Sequence, residues 1–368
     1  MRHAALLIPT LDRMAGAERQ VILLAKGLRR RGWRVSVVAL SGAGSPAASD
    51  LIDEGVAFLS LGFRRGLADP GGWLRFNRWL RVERPDIVHA HLPHAAWLSR
   101  WSRLCAPRPV FIDTLHSSST GGLGRRLGYR FSRWLPHRVT AVSHAVAKSH
   151  LQARMVNPAA LSIISNGVGT NEFGPNLETR AAVRRELPLG DGFLWLAAGR
   201  LEPVKDYPTL LSAMAQLHPS ARLVIAGIGP LRDALQNLSE RLGLGNRVTF
   251  LGFETDMKRW FQAADGFVLS SRWEGLPTAL IEAASCGLAA VATDVPGVDE
   301  VIVDKVTGLL AAPADPDALA AAMKTVIEMP YAQRGEMAAQ ARRRALERFS
   351  LETVLDSWED LYRNLLNA

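Results

Sequence analysis

Cysteine is scarce in this sequence. Its 368 residues contain two, Cys105 and Cys286, far apart and outside any metal-ligand spacing. A disulfide framework and a zinc cluster are therefore excluded, and a reducing compartment is expected. Long apolar runs are missing too. No stretch reaches the roughly 18 consecutive apolar residues of a spanning helix. The opening run Ala4–Ile8, ended by Pro9, is too short for a signal peptide and predicts a first buried strand. There is no tandem repeat and no low-complexity tract. The expected location is the cytoplasm, either free or peripheral on the cytosolic face of the inner membrane.

Acidic residues are scarce in one part only. Residues 1–165 hold 24 Lys and Arg against 9 Asp and Glu, whereas 166–368 hold 20 against 26. The first part is thus +15 and the second −6. A basic half suits an anionic partner: nucleic acid, acidic lipid or phosphorylated substrate. No nucleic-acid-binding motif accompanies the charge, so nucleic acid is not expected. The composition, 48% hydrophobic and 21% charged, excludes a disordered, collagenous or coiled-coil chain, and the length suits two domains.

Short β-rich runs alternate with helical stretches. Ala4–Ile8, Val35–Leu40, Asp86–Ala90, Val110–Thr114 and Arg138–Val142 predict strands, and Gly16–Arg31 a helix. The pattern restarts with strands at Phe193–Ala198, Ala221–Ala226, Arg247–Leu251, Gly266–Leu269 and Ala289–Ala292. Helices fit Tyr207–Leu217, Leu231–Leu242, Asp256–Ala263 and Thr278–Ser285. Asp315-Pro316-Asp317 opens another helix through Met329, with Asp as cap. A last helix is expected at Leu351–Leu366. Such alternation means βαβ units and parallel sheets. Two doubly wound α/β domains, joined around Ile164–Leu187, are expected to face each other across a cleft. Ligands would bind at the carboxyl ends of their strands.

The sharpest cluster is Ser270-Ser271-Arg272-Trp273-Glu274-Gly275-Leu276-Pro277, followed by Glu282. It runs from a strand end into a helix, with Pro277 expected at the first helical position. The helix N-terminus suits phosphate. Glu282 can accept two hydrogen bonds from a ribose diol, and Glu274 can reach a second group of the same ligand. A solvated pair of acids is the competing reading. Gly199-Arg200-Leu201-Glu202 and Lys205 follow another strand, where Arg and Lys can clamp a diphosphate and stabilise it as a leaving group. Ordinary surface cations are the alternative. Gly227-Ile228-Gly229-Pro230 lets backbone approach a ligand. The third glycine of the dinucleotide fingerprint is absent, so a plain strand-to-helix turn competes.

In the first half Gly16 opens a helix and can admit a phosphate or sugar to its end. His89 and His91 end one strand and are expected on opposite faces of it, a poor metal pair. His94 adds no acidic partner, and no metal site is expected. His116, at another strand end, is the better functional candidate. Two basic amphipathic segments stand out. Leu123, Leu127, Phe131, Trp134 and Leu135 are flanked by Arg125, Arg126, Arg130 and Arg133. Trp73, Phe76 and Leu80 are flanked by Arg75, Arg78 and Arg81. Either lies on an anionic membrane or is core with a solvated arginine face.

In this order the segments resemble the retaining glycosyltransferases of GT-B fold, family 4 type (glycosyl transferases group 1), over about residues 4–366. Ser-x-x-Glu-Gly-Leu-Pro with Glu274 and Glu282 is the most specific match. Gly199-Arg200-Leu201…Lys205, Gly227-x-Gly229-Pro230, Phe250-Leu251-Gly252, Asn166-Gly167-Val168 with Phe173, His89-Ala90-His91 and Val142-Ser143 also match. The resemblance implies two Rossmann-like domains: 1–167 for the acceptor, 168–350 for the donor, and a helix 351–368 crossing back to the first. Catalytic roles would fall to His116, Arg200, Lys205 and Glu274. The donor would be bound by Gly16, Gly199, Arg200, Lys205, Gly227, Glu274, Gly275, Leu276, Pro277 and Glu282. Within that set Arg200 and Lys205 hold the diphosphate, Glu282 the ribose and Glu274 the sugar. His116 faces the sugar, and the Gly16 amide meets the phosphate. Ala15 stands where the family often has the first glycine of a pair, and Thr114-Leu115-His116 departs from a frequent paired histidine.

The implied reaction moves a sugar from a nucleotide-diphosphate sugar, UDP favoured and GDP possible, to a hydroxyl of a glycan or lipid-linked acceptor. Configuration is retained and no metal or other cofactor is required. Cell-surface polysaccharide, lipopolysaccharide or glycolipid synthesis would be the setting, with an anionic membrane surface as partner of the basic domain. The alternatives are a nucleotide-sugar epimerase of the same fold and a non-catalytic binder of sugar nucleotides.

Overall fold

Strand β1 (His3–Ile8) is buried along its whole length. An unbroken apolar run of this kind belongs to the centre of a parallel sheet covered on both faces. The computed structural model describes residues 1–12, 16–42, 45–64, 69–186 and 192–368, which divide into two units, Met1–Gly167 with Leu351–Ala368, and Val168–Ser350. In the first unit β1 is joined by β2 (Arg34–Ala39), β3 (Ala57–Ser60), β4 (Ile87–His91), β5 (Val110–Leu115), β6 (Arg138–Ala141) and β7 (Leu161–Ile163). All pairings are parallel, in the order β3-β2-β1-β4-β5-β6-β7. The second unit holds β8 (Leu194–Ala198), β9 (Arg222–Ala226), β10 (Val248–Gly252), β11 (Gly266–Leu269), β12 (Ala289–Thr293) and β13 (Leu309–Ala311). Its parallel order is β10-β9-β8-β11-β12-β13.

Helices complete each crossover. The first unit carries α1 (Gly16–Arg30), α2 (Pro46–Asp53), α3 (Pro70–Glu83), α4 (Pro93–Ser102), α5 (Leu123–Ser132) and α6 (His144–Gln152). The second carries α7 (Leu177–Glu186), α8 (Tyr207–Ala215), α9 (Arg232–Arg241), α10 (Met257–Ala263), α11 (Thr278–Ser285), α12 (Pro316–Glu328) and α13 (Tyr331–Phe349). The terminal helix α14 (Leu351–Asn367) returns to the first unit. There Leu355 and Trp358 join the core of Leu24, Leu28 and Trp33. Asp315 caps α12 as expected, its Oδ1 accepting the amides of Asp317 at 3.0 Å and Ala318 at 2.9 Å.

Two expectations are corrected and one open alternative is decided. Pro277 is the cap residue of α11 with extended backbone, one place before the first helical residue. The Phe76 and Leu80 stripe of α3 is core, at 0% and 3% exposure, and Trp73 is half-buried. The corresponding stripe of α5 is the reverse: Leu123, Phe131 and the following Trp134 are 71%, 77% and 61% exposed. Only Tyr129 and Ser132 of α5 are buried. Both meet Arg100 of α4, which stacks on the Tyr129 ring at 4.1 Å and donates to Ser132 Oγ at 2.9 Å. Arg100 also pairs with Asp113 of β5 at 2.6 Å, both side chains fully buried. The second correction concerns His89 and His91. Positions two apart on a strand share a face, and their rings lie 4.0 Å apart between centroids.

Candidate functional site

The second sheet reverses its strand order between β8 and β11. Ligands of doubly wound sheets bind outside the carboxyl ends of the strands at such a reversal. The segments leaving the two strands are bound to each other there. The Arg272 amide donates to Val204 O at 2.8 Å, and the Ser270 hydroxyl donates to Lys205 O at 2.7 Å. Lys205 Nζ lies 2.6 Å from Glu274 Oε1, and the same oxygen accepts the Ser271 hydroxyl at 2.5 Å. Both charged side chains are mostly buried. Lys205 and Glu274 are therefore brought together as a compact ion pair.

Arg200, by contrast, is 62% exposed and pairs with Glu202 at 2.6 Å. Gly199 and Gly227 make the backbone close-packed at the ends of β8 and β9. A Cβ on Gly227 would sit 1.9 Å from Gly199 O, so that position admits no side chain. Gly275, Leu276 and Pro277 are buried where the loop enters α11. Glu282 is buried in the second turn of that helix, and its charge adds to burial in pushing the Cys286 thiol up to about 12. Sequence reasoning missed Tyr207, whose hydroxyl donates to Gly199 O at 3.0 Å. Burial and the Glu274 charge hold its phenol protonated well above the usual range. It also missed Ser271 and the Asp206–Arg272 pair at 3.1 Å. Ser271 stands inside the quoted motif and could have been found, whereas Tyr207 and Asp206 carried no signal.

In the first unit Gly16 begins α1 and is exposed, at a helix start, where the first backbone amides have no intrahelical partner. Ala15 lies outside the described residues. His116 follows β5 and meets β4, with His91 Nδ1 and His116 Nε2 3.1 Å apart. His91, Thr114, His116, Gln20, Asn166 and Trp358 line a small cavity. Burial lowers His116 to about 4 and holds His89 and His91 well below the usual histidine range, so all three are neutral at pH 7. His89 Nδ1 meets Tyr362 OH and Nε2 meets Thr114 Oγ1, each at 2.6 Å. His94 is exposed in the first turn of α4. Among the described residues no group of three or more His, Cys, Asp or Glu is gathered as a metal site. No described helix is long and apolar enough to cross a membrane.

The charge, glycine packing and helix start at β8 and β11 suit a phosphorylated ligand. Comparison with known proteins places the chain in a family. A profile described as Glycosyltransferase Family 4 matches residues 14–172, and one described as Glycosyl transferases group 1 matches 179–346. The UDP-Gal:alpha-D-GlcNAc-diphosphoundecaprenol alpha-1,3-galactosyltransferase of Escherichia coli is 26% identical over 337 residues, 86% of each chain. The glycogen synthase of Mycobacterium tuberculosis (strain H37Rv) is 28% identical over 77% of this chain and 69% of that one. HepE of Anabaena, solved in complex with UDP-glucose, superposes with a TM-score of 0.88 at 23% identity, over 98% of this chain and 99% of that one.

Proposed function

Because the chain belongs to the family 4, group 1 glycosyltransferases and has their GT-B fold, we propose that Lys205, Glu274 and Glu282 hold its nucleotide-sugar donor. The enzyme is a glycosyltransferase that draws on a nucleotide sugar. The observation that carries the donor assignment is the Lys205–Glu274–Ser271 cluster at the strand reversal, beside the start of α11. Lys205 and Arg200 take the diphosphate, the exposed Arg200 leaving its half-buried partner Glu202 to do so. Their fixed charge stabilises the negative charge that grows on the leaving group. Glu282 takes the ribose hydroxyls and Glu274 the sugar, with Gly199, Gly227, Gly275, Leu276 and Pro277 shaping the backbone around them. Gly16 gives its amide to phosphate and His116 contacts the transferred sugar.

UDP is favoured over GDP, since the Escherichia coli relative is named for UDP-Gal and HepE was solved with UDP-glucose. Transfer retains configuration by a front-face path: the acceptor hydroxyl attacks from the side of the departing diphosphate, which takes its proton. Positioning and charge stabilisation then supply the rate. The acceptor is a glycan or lipid-linked hydroxyl in cell-surface polysaccharide, lipopolysaccharide or glycolipid synthesis. The exposed face of α5 supports a lipid. Leu123, Leu127, Phe131 and Trp134 stand among Arg125, Arg126 and Arg130, all exposed, a composition that lies on anionic bilayers.

Incubation with labelled nucleotide sugars and acceptor tests the activity. Transfer to acceptor is expected, whereas free isomerised sugar or binding alone refutes it. Thermal shifts with UDP-, GDP- and ADP-sugars should shrink in Arg200→Ala and Glu282→Ala. Shifts equal to the parent's remove the donor assignment. Sedimentation with phosphatidylglycerol vesicles should occur at low salt and weaken as salt rises. Absence of sedimentation at low salt removes the membrane assignment.

A further inference from the structure

The histidine pair at the ends of β4 and β5 is asymmetric. His91 is 2% exposed, and its Nδ1 faces His116 Nε2 at 3.1 Å. Its other nitrogen, Nε2, is buried with no hydrogen-bond partner among the described residues. One proton must sit between Nδ1 of His91 and Nε2 of His116, and two arrangements can place it. If His116 donates, His91 keeps its own proton on Nε2, where a buried N–H is left unpaired. If His91 donates, its bare nitrogen is an unfilled acceptor. Buried orphan donors are rarer and costlier than under-used acceptors. A neutral imidazole carries one proton, so the second arrangement also decides the neighbour.

We infer that His91 is a positioning residue that sets His116 as the Nδ1–H tautomer, leaving His116 an N–H donor for an oxygen of the substrate. His116 is then not a general base, because its lone pair on Nε2 is taken by His91. Both rings stay neutral at pH 7, since burial disfavours their charged forms. That keeps the pair from repelling itself and keeps His116 from acting as an acid.

The neighbouring ring supplies an internal contrast. Thr140 Oγ1 donates to the carbonyl of Asp113 at 3.3 Å, so it accepts from Thr114 at 2.7 Å. Thr114 in turn accepts from His89 Nε2–H, and His89 Nδ1 accepts from Tyr362 of α14. His89 is thereby the Nε2–H tautomer, its ring tilted against that of an Nδ1–H neighbour. The terminal carbonyl can only accept, which orients every hydroxyl in the chain.

The substrate contact rests on the function proposed above, but the tautomers do not. They are read by 15N NMR of histidine-labelled whole protein at pH 7, with signals assigned by their loss in His116→Asn, His91→Asn and His89→Asn. Nδ1–H is expected for His116 and His91, and Nε2–H for His89. Nε2–H at His116 in the parent protein overturns the inference without any variant having to fold. In His91→Asn the amide N–H stands near the place of the imidazole Nδ1–H. His116 should keep its tautomer and kcat should stay within about threefold, under 1 kcal/mol. In His91→Phe the tautomer preference should be lost and kcat should fall by about tenfold or more. Equal losses in the two variants overturn the positioning role. The expected tautomers with an unchanged kcat in His91→Phe overturn the substrate contact of His116 alone.

Discussion

Lys205 Nζ and Glu274 Oε1 are 2.6 Å apart across 69 residues of sequence, and Ser271 shares the same carboxylate oxygen. In the proposed donor site, the cation assigned to phosphate is thus paired with a carboxylate that competes for it. A diphosphate at Lys205 must displace or share that partner.

Glu274→Gln separates the two roles. It removes the competing charge, so UDP alone should bind no more weakly and up to about tenfold more tightly. Turnover with the complete sugar nucleotide should fall by about 10² or more, the scale of losing one stabilising group. Calorimetry with UDP and steady-state kinetics check the pair of outcomes. Weaker UDP binding in the variant would mean that Lys205 is not the phosphate cation.

Gly227→Ala should destabilise the second unit. The new Cβ lands 1.9 Å from the carbonyl oxygen of Gly199, and backbone on both sides cannot yield cheaply. A cost of about 1–3 kcal/mol or more is expected, read as a lower urea midpoint. Gly124→Ala is the control: nothing lies within 4 Å of its added methyl in α5. It should be neutral or gain up to about 1 kcal/mol, the helix-interior difference between Gly and Ala.

Arg100→Met should be costly through what it leaves behind. Asp113 is fully buried and paired with Arg100, while burial alone pushes its carboxyl up. Removing one partner of such a pair costs about 3–5 kcal/mol, whereas replacing both by apolar groups is often neutral. Arg100→Met with Asp113→Leu should therefore recover most of the urea resistance lost by Arg100→Met. Tyr129 and Ser132 hang on the same guanidinium. Hydrogen exchange in α5 should accordingly quicken in the single variant. A single variant as stable as the parent would contradict the pinning role.

Acid should weaken the first unit before the carboxylates titrate. His116 falls from 6.5 to about 4 on burial, and His3, His89, His91, His137 and His150 are lowered as well. Between 6.5 and about 4 the unfolded chain binds protons that the folded His116 does not, so unfolding free energy drops as pH falls. Each such group adds up to about 1.4 kcal/mol per pH unit. Below about 4 the contribution of His116 stops growing. Urea unfolding at pH 7, 6 and 5 should show the decline, and His116→Asn should flatten it. A stability independent of pH over that window would count against neutral burial.

The α/β class and the strand alternation were legible because central strands of a parallel sheet are buried on both faces and read as unbroken apolar runs. Thus β1, β5, β8 and β11 lie within a residue or so of their expected bounds. The edge strands β3 and β7 and the short β13 were not legible. They span four, three and three residues with partly exposed side chains, and hydrogen bonds to a neighbour define them. Capping was legible at Asp315, because a cap acts within four residues.

The sequence by itself determined which chemistry-bearing residues end strands: Arg200 after β8, Ser270 and Ser271 after β11, His91 in β4 and His116 after β5. Only the tertiary structure decided who meets whom. It joined Lys205 to Glu274 while Arg200 went to Glu202. It put His89 and His91 on one face, and it buried the stripe of α3 while exposing that of α5. The physical reason is range. Periodicity and caps are set by neighbours a few residues away, whereas an ion pair or a covered helix face depends on which distant segment the sheet brings alongside.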